Sequence, residues 1–137
     1  MYLLDTNVVS ELRRPKPHGG VLAWFASTGQ AKLYMSAVTV GEIQIGVERT
    51  REQDPQKAQA IETWLNAVVN GYDVLAMTPV CFRQWAKLMH RQSSTRAADA
   101  MIAATALAHG LTIVTRNVSD FAHFDCPLVN PFSSLDT

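Results

Sequence analysis

Cysteine is scarce in this 137-residue chain, which has only Cys81 and Cys126. They form neither a CxxC pair nor a zinc spacing, so nothing supports a disulfide framework or a structural zinc site. Two buried free thiols are expected instead. Histidine is nearly as sparse: His18, His90, His109 and His123 are scattered, with no HExxH helix and no nucleophile elbow, which weakens metalloprotease and serine hydrolase readings. An excess of charge is also missing. Twelve Lys and Arg balance twelve Asp and Glu, so any nucleic-acid contact must come from a local basic patch. No apolar run approaches the roughly 18 residues needed to span a bilayer, and the start lacks the basic and apolar stretch of a signal peptide. A single domain over residues 1–137, cytoplasmic and without a membrane segment, is therefore expected.

What is present alternates short apolar runs with helical patterns. Tyr2-Leu3-Leu4, Leu33-Tyr34-Met35, Val74 to Met77, Leu111 to Thr115 and Leu128-Val129 read as strands, the fourth being the clearest. Helices are predicted from Thr6 to about Arg14, from Val21 to near Gly29, from Val40 to Arg49, from Asp54-Pro55 to Gly71, from Pro79 toward Gln92, and from Arg96 to His109 before Gly110. Val40 to Arg49 is ambiguous by periodicity, and Thr39-x-x-Glu42, a capping box, decides for helix. The alternation argues for an α/β domain with a mainly parallel, buried sheet.

Acidic residues stand where such a sheet would use them. Asp5 follows the first strand directly, so it is either a helix N-cap or part of a site at the carboxyl edge. Asp99 lies in a helix of small and apolar residues, where a charge needs a partner or complements the helix dipole. Leu3-Leu4-Asp5-Thr6-Asn7 and Ile113-Val114-Thr115-Arg116-Asn117 both end an apolar strand in a polar cluster, and the second continues to Asp120. Two parallel strands would aim both clusters at one crevice. Glu42 either faces that edge or reaches back to Thr39. Asp5, Glu42, Asp99 and Asp120 offer oxygen ligands with no His or Cys nearby, a set suited to Mg²⁺ or Mn²⁺.

The order LLDTNVVSEL, SAVTVGEIQIGV, AADAMIAATALAHGLTIVTRNVSDF and a closing LVNPF resembles the PIN-domain ribonucleases, specifically VapC-type toxins of bacterial toxin–antitoxin pairs, including the FitB-like branch. The resemblance runs almost end to end. It implies a PIN-like α/β/α sandwich, a Mg²⁺- or Mn²⁺-dependent endoribonuclease, a homodimer, and inhibition by a cognate antitoxin through which alone DNA would be contacted. By position, Asp5, Glu42 and Asp99 match the family's first three acidic residues, and Thr6, Asn7 and Thr115 support the pocket. Asn117 stands where many members carry Asp, and Asp120 could supply the missing charge as the fourth catalytic and metal-binding residue.

Arg13, Arg14, Arg96 and Arg116, with Lys16, Lys87 and Arg91 nearby, could form a basic rim that holds RNA phosphates around the acidic centre. Trp24, Trp64 and Trp85 read as core or interface anchors, and the faces bearing Trp24 and Trp64 suggest a dimer contact. Two rivals, one an enzyme and one a signalling domain, fit less well. An aspartate-nucleophile phosphatase would want an acid at position 7, and a receiver-like domain a late lysine, whereas the last is Lys87. A catalytically weak PIN-fold binding module is the remaining alternative.

Overall fold

The computed structural model describes residues 1–28 and 32–136. Five strands, β1 (Tyr2–Leu4), β2 (Leu33–Ser36), β3 (Asp73–Leu75), β4 (Thr112–Val114) and β5 (Leu128–Val129), form one all-parallel sheet in the order β3-β2-β1-β4-β5. Parallel neighbours require crossovers, which the helices supply. They are α1 (Thr6–Glu11), α2 (Gly19–Thr28), α3 (Ala37–Arg51), α4 (Pro55–Gly71), α5 (Pro79–Met89), α6 (Ala97–His109) and the short α7 (Val118–Phe121). From β1 the chain winds outward to β2 and β3, then returns to place β4 on the other side of β1. The sheet's topological switch point thus lies between β1 and β4.

Strand alternation divides the core in two. Leu3 and Ile113 face a layer containing Ala100, Ile102, Ala103 and Phe121, while Leu4, Met35 and Val114 face Val8, Val21 and Leu65. Leu3, Leu4, Ile113 and Val114 are fully buried, each contributing on the order of 2 kcal/mol of hydrophobic stabilisation. The small residues around α6 have the expected reason. Ala100, Ala103, Ala104 and Ala106 are fully buried because the helix packs on both the sheet side and α5. Trp85 Nε1 joins these two helices by donating to the Ala97 carbonyl at 3.1 Å.

Most helix boundaries follow from their caps. Asp54 accepts from Lys57 N at 3.0 Å ahead of Pro55, Thr78 accepts from Cys81 N at 3.3 Å ahead of Pro79, and Gly110 ends α6 at φ +66°. Three expectations need correction. The capping box does not form: α3 starts at Ala37, Ser36 Oγ accepts from Val38 N at 3.1 Å, and Thr39 is buried in the first turn. Ser36 closes a strand and caps a helix with one residue, so the helix starts before Thr39 has any role as a cap. Beyond Glu11 the chain tightens into i−3 bonds, with Arg14 N on Glu11 O at 3.1 Å, and α1 ends three residues before Arg14. On α5, where helical spacing places Phe82, Trp85, Ala86 and Met89 inward, Phe82 and Ala86 instead face outward, leaving Cys81, Trp85, Leu88 and Met89 toward the core. The predicted end of α2 near Gly29 lies outside the described residues, which carry that helix to Thr28. Both cysteines are buried free thiols, as expected.

Candidate active site

Register alone brings the two polar clusters together. Leu4 pairs with Val114, and the next residue, Asp5, donates its N–H to the Val114 carbonyl at 2.9 Å. The choice between cap and site dissolves at Asp5, because its two oxygens divide the work. Oδ1 accepts from Thr6 N at 2.8 Å, closing the first turn of α1, while Oδ2 accepts from Thr115 Oγ1 at 2.8 Å and Asn7 Nδ2 at 3.1 Å. Burial raises the Asp5 carboxyl above its ordinary range, partly offset by the Thr115 and Thr6 bonds and reinforced by the charges of Glu42 and Asp120. The same bonds lock the ends of β1 and β4. Asn7 Oδ1 accepts from Arg116 N at 3.2 Å, and Thr115 Oγ1 accepts from Asn117 N at 3.0 Å.

Glu42 reaches this crevice from α3. Freed from any cap, its Oε1 accepts from Thr6 Oγ1 at 2.7 Å, and that hydroxyl lies 3.1 Å from Thr39 Oγ1. The structure therefore resolves the alternative at Glu42 in favour of the sheet edge. Asp99, in the first turn of α6, is held at about 6. Burial is the main cause, followed by the charges of Asp5, Asp120 and Glu42, against which Arg96 works. Four carboxylates from four elements thus share one electrostatic environment. Asp120 is one of them, half-buried on α7. Asn117 is exposed at the N-cap of α7, and its side chain makes no capping bond.

Repulsion of this kind has a measurable cost. A carboxyl held at about 6 in the native state, against 3.8 ordinarily, keeps its proton more tightly folded than unfolded. Stability is therefore lost as pH rises from about 4 through 6. Asp99→Asn removes that charge, so in chelator the variant should be about 1 kcal/mol more stable than the parent at pH 8, the shift being discounted for the half-exposed site. Thermal melts should show the gain vanishing by about pH 4; an equal or lower melting temperature at pH 8 would contradict the repulsion.

The cationic residues do not all stand alike. Arg13 lines a hollow of about 290 Å³ with Ser10, Thr6, Glu42 and Trp64, and Arg116 stacks on Phe132 with its guanidinium carbon 4.5 Å from the ring centroid. Arg14 pairs with Glu11 at 3.4 Å. An apolar groove of about 730 Å³ opens on the other side of Glu42, lined by Val38, Ile45, Ala98 and Met101. Trp24 and Trp64 are partly buried against the core layer, Trp24 edge-on to Tyr2 and Phe25, and Leu22, Ile45, Val80, Phe82 and Val118 are among the outward apolar residues.

Three further polar residues were missed from sequence. Glu11 is 6% exposed and accepts from His18 N at 3.1 Å, pinning the turn through Pro15 and Pro17. Ser36 and Thr39 are completely buried at the carboxyl edge. Their signal was Ser36-x-x-Thr39 itself, two hydroxyls one helical turn apart, of which only the second was weighed. Among the described residues, no group of three or more His, Cys, Asp or Glu side chains is gathered closely enough to hold a metal ion by itself.

Fold and site together define an α/β/α sandwich whose chemistry is carboxylate oxygens converging at the switch point of a parallel sheet. Comparison with known proteins agrees. The family model described as PIN domain matches residues 2–125, and the chain belongs to the PIN-domain family. VapC ribonuclease Y4jK of Sinorhizobium fredii is 34% identical, over 96% of this chain and 98% of that protein. Toxin FitB of Neisseria gonorrhoeae is 32% identical, over 96% and 99%. The crystal structure of FitAcB from Neisseria gonorrhoeae matches with a TM-score of 0.82 at 33% identity, covering 96% of this chain and 99% of that one.

Proposed function

We propose that this chain is an endoribonuclease toxin of a type II toxin–antitoxin pair that hydrolyses RNA phosphodiesters with a bound Mg²⁺ or Mn²⁺. The observation that carries the reading is the paired ends of β1 and β4, which set Asp5 on Thr115 at the sheet edge and bring Glu42 of α3 to Thr6 beside it, with Asp99 and Asp120 close enough to share their charge. A divalent cation is what such a set lacks electrostatically. The donors are all oxygen, and Asp5 is held rigidly by Thr6, Asn7 and Thr115. Asp5, Glu42, Asp99 and Asp120 would hold the ion in part through bridging waters, which Mg²⁺ retains readily, since no three of them are gathered closely enough to bind it directly. When bound, the ion supplies an acidified water and charge stabilisation at phosphorus.

The chain's own residues do the rest. Thr115 and Asn7 aim Asp5, the Thr115 bond favouring its ionised form, and Thr6 orients Glu42. Asp99, raised in the metal-free protein by burial and by Asp5, Asp120 and Glu42, is the carboxylate whose ionised form a bound cation would favour most. Arg13, Arg96 and Arg116 are proposed to steer phosphates toward this negative centre, with Asn117 at its margin. Arg14, already paired with Glu11, contributes less.

An antitoxin is the proposed partner. Its amphipathic segment would lie in the groove between Val38, Ile45, Ala98 and Met101, which leads to Glu42, and any DNA contact would be the antitoxin's. Among the described residues no helix is long and apolar enough to cross a membrane, in keeping with a cytoplasmic place of action. A homodimer is also proposed, through the exposed Val80 and Phe82 of α5. Phe82→Ser should lower the sedimenting mass toward that of one chain; a wild-type monomer at high concentration would remove the dimer.

Sequencing new 5′ ends after incubating total RNA with the purified chain and Mg²⁺ tests the main reading. Recurrent cleavage at defined positions supports it. No cleavage in Mg²⁺ or Mn²⁺, with RNA binding retained, would favour the binding-module alternative.

A further inference from the structure

On one side of the carboxylates lies a cleft of about 360 Å³ lined by His18, Arg116, Asn130, Phe132 and Ser133. Among the described side chains no acidic one lines it, although Arg116 ties it through Asn7 to Asp5. Its floor is built on the Phe132 ring. Phe132 is 7% exposed, the Arg116 guanidinium lies over its ring, and the His18 ring sits 5.1 Å from it at a tilt of 57°. Asn130 fixes the arrangement: its Oδ1 accepts from Phe132 N at 3.0 Å, and its Nδ2 donates to the Arg116 carbonyl at 3.5 Å.

His18 is oriented too. Its Nδ1 accepts from Gly20 N at 3.0 Å, so in the neutral ring the proton resides on Nε2, which is left as a donor. The cleft is also tied directly to the carboxylates. Arg116 N is held by Asn7 Oδ1, Asn7 holds Asp5, and the residue before Arg116 supplies the hydroxyl on which Asp5 rests. The Arg116 backbone is therefore tied to Asp5, while its guanidinium lies over Phe132 and the residue is otherwise exposed.

We propose that the His18–Arg116–Phe132 cleft is a nucleobase subsite, in which the unstacked base of the nucleotide next to the scissile phosphate lies on the Arg116 guanidinium. Stacking of a splayed base on an arginine plane is a usual way to hold single-stranded RNA. A cation presented as a plane beside donors on His18 and Asn130, without a competing carboxylate, suits the π-face, edge acceptors and phosphate of one nucleotide. An acidic protein segment would use the charge but not the flat stack. The proposal rests on the ribonuclease reading and adds the position at which that enzyme selects its substrate.

Equilibrium binding of a fluorescent RNA spanning the mapped cleavage site, measured by anisotropy in EDTA, tests it without turnover. Arg116→Ala should weaken binding about tenfold and make the salt dependence shallower by about one ion. Arg116→Lys should restore the salt dependence but not the affinity. His18→Asn keeps an acceptor for Gly20 N and loses the ring; it should weaken binding severalfold with an unchanged melting temperature. In a set of RNAs made abasic at one position each, one position beside the cleaved bond should cost the wild type about tenfold and cost Arg116→Ala nothing further. Wild-type affinity in Arg116→Ala, full rescue by Lys, or abasic losses equal in both proteins at every position would each overturn the subsite while leaving the ribonuclease intact. A wild-type chain that neither binds nor cleaves RNA would instead remove the ribonuclease reading itself.

Discussion

Asp5→Asn and Asp99→Asn should each lower RNA cleavage at least about 100-fold, because even outer partners of metal ligands cost 10- to 100-fold when removed and these two residues are proposed as ligands. EDTA should abolish the wild-type activity and added Mg²⁺ or Mn²⁺ should restore it. The two variants separate chemistry from folding because their effects on stability run in opposite directions. Asp99→Asn relieves repulsion from Asp5, Asp120 and Glu42 and should melt higher in chelator. Asp5→Asn puts an amide N–H₂ among Thr115 Oγ1 and Asn7 Nδ2, which now donate to Oδ2. One of those bonds must reorganise, at a cost of about 1 kcal/mol. Equal losses of turnover with opposite shifts in melting temperature would identify the carboxylates as reactive groups. Full turnover in either folded variant, or cleavage surviving exhaustive chelation, would refute the metal mechanism.

Much of this site was legible before any coordinates because of strand geometry. Two apolar runs ending in polar triplets, on parallel neighbours, must present those triplets at one edge, and the pairing of Leu4 with Val114 does so. Asp54-Pro55 and His109-Gly110 were legible for similarly local reasons, a cap and a left-handed glycine. Failures arose where two local signals competed. Ser36 and Thr39 both begin plausible helices, and only burial against Thr6 separates the cap from the residue inside the site. Phe82 was assigned inward by spacing, since amphipathic spacing predicts which residues align and not which of two adjacent stripes meets the sheet. Trp24 and Trp64 were read as surplus because the depth of the second core layer depends on how α2 and α4 pack, which is tertiary information. The cleft around Phe132 was invisible for a stronger reason. His18, Arg116 and Phe132 are far apart in sequence and are joined only by stacking, through side chains that carry no periodic pattern.

At the fourth acidic position, Asp120→Asn should weaken divalent-metal affinity and turnover by about tenfold or more, whereas Asn117→Ala should change either by less than about threefold. The asymmetry follows from where each side chain acts. Val118 to Phe121 turn helically, which swings Asp120 back over the crevice, and its charge bears on both Asp5 and Asp99. Asn117 is exposed and contributes its backbone N–H to Thr115, a bond that Asn117→Ala preserves. Losing the Asp120 charge also removes one source of repulsion at Asp99. In metal-free Asp120→Asn the Asp99 carboxyl should consequently titrate lower than in the parent, and the acid limb of the pH–rate profile at sub-saturating Mg²⁺, where protons compete with the ion, should move to lower pH. A structural role for Asp120, such as fixing the turn before the buried Phe121, would reduce melting temperature without moving that limb. Isothermal metal titration and pH–rate profiles on both folded variants distinguish the cases, and a metal-binding defect confined to Asn117→Ala would reverse the assignment.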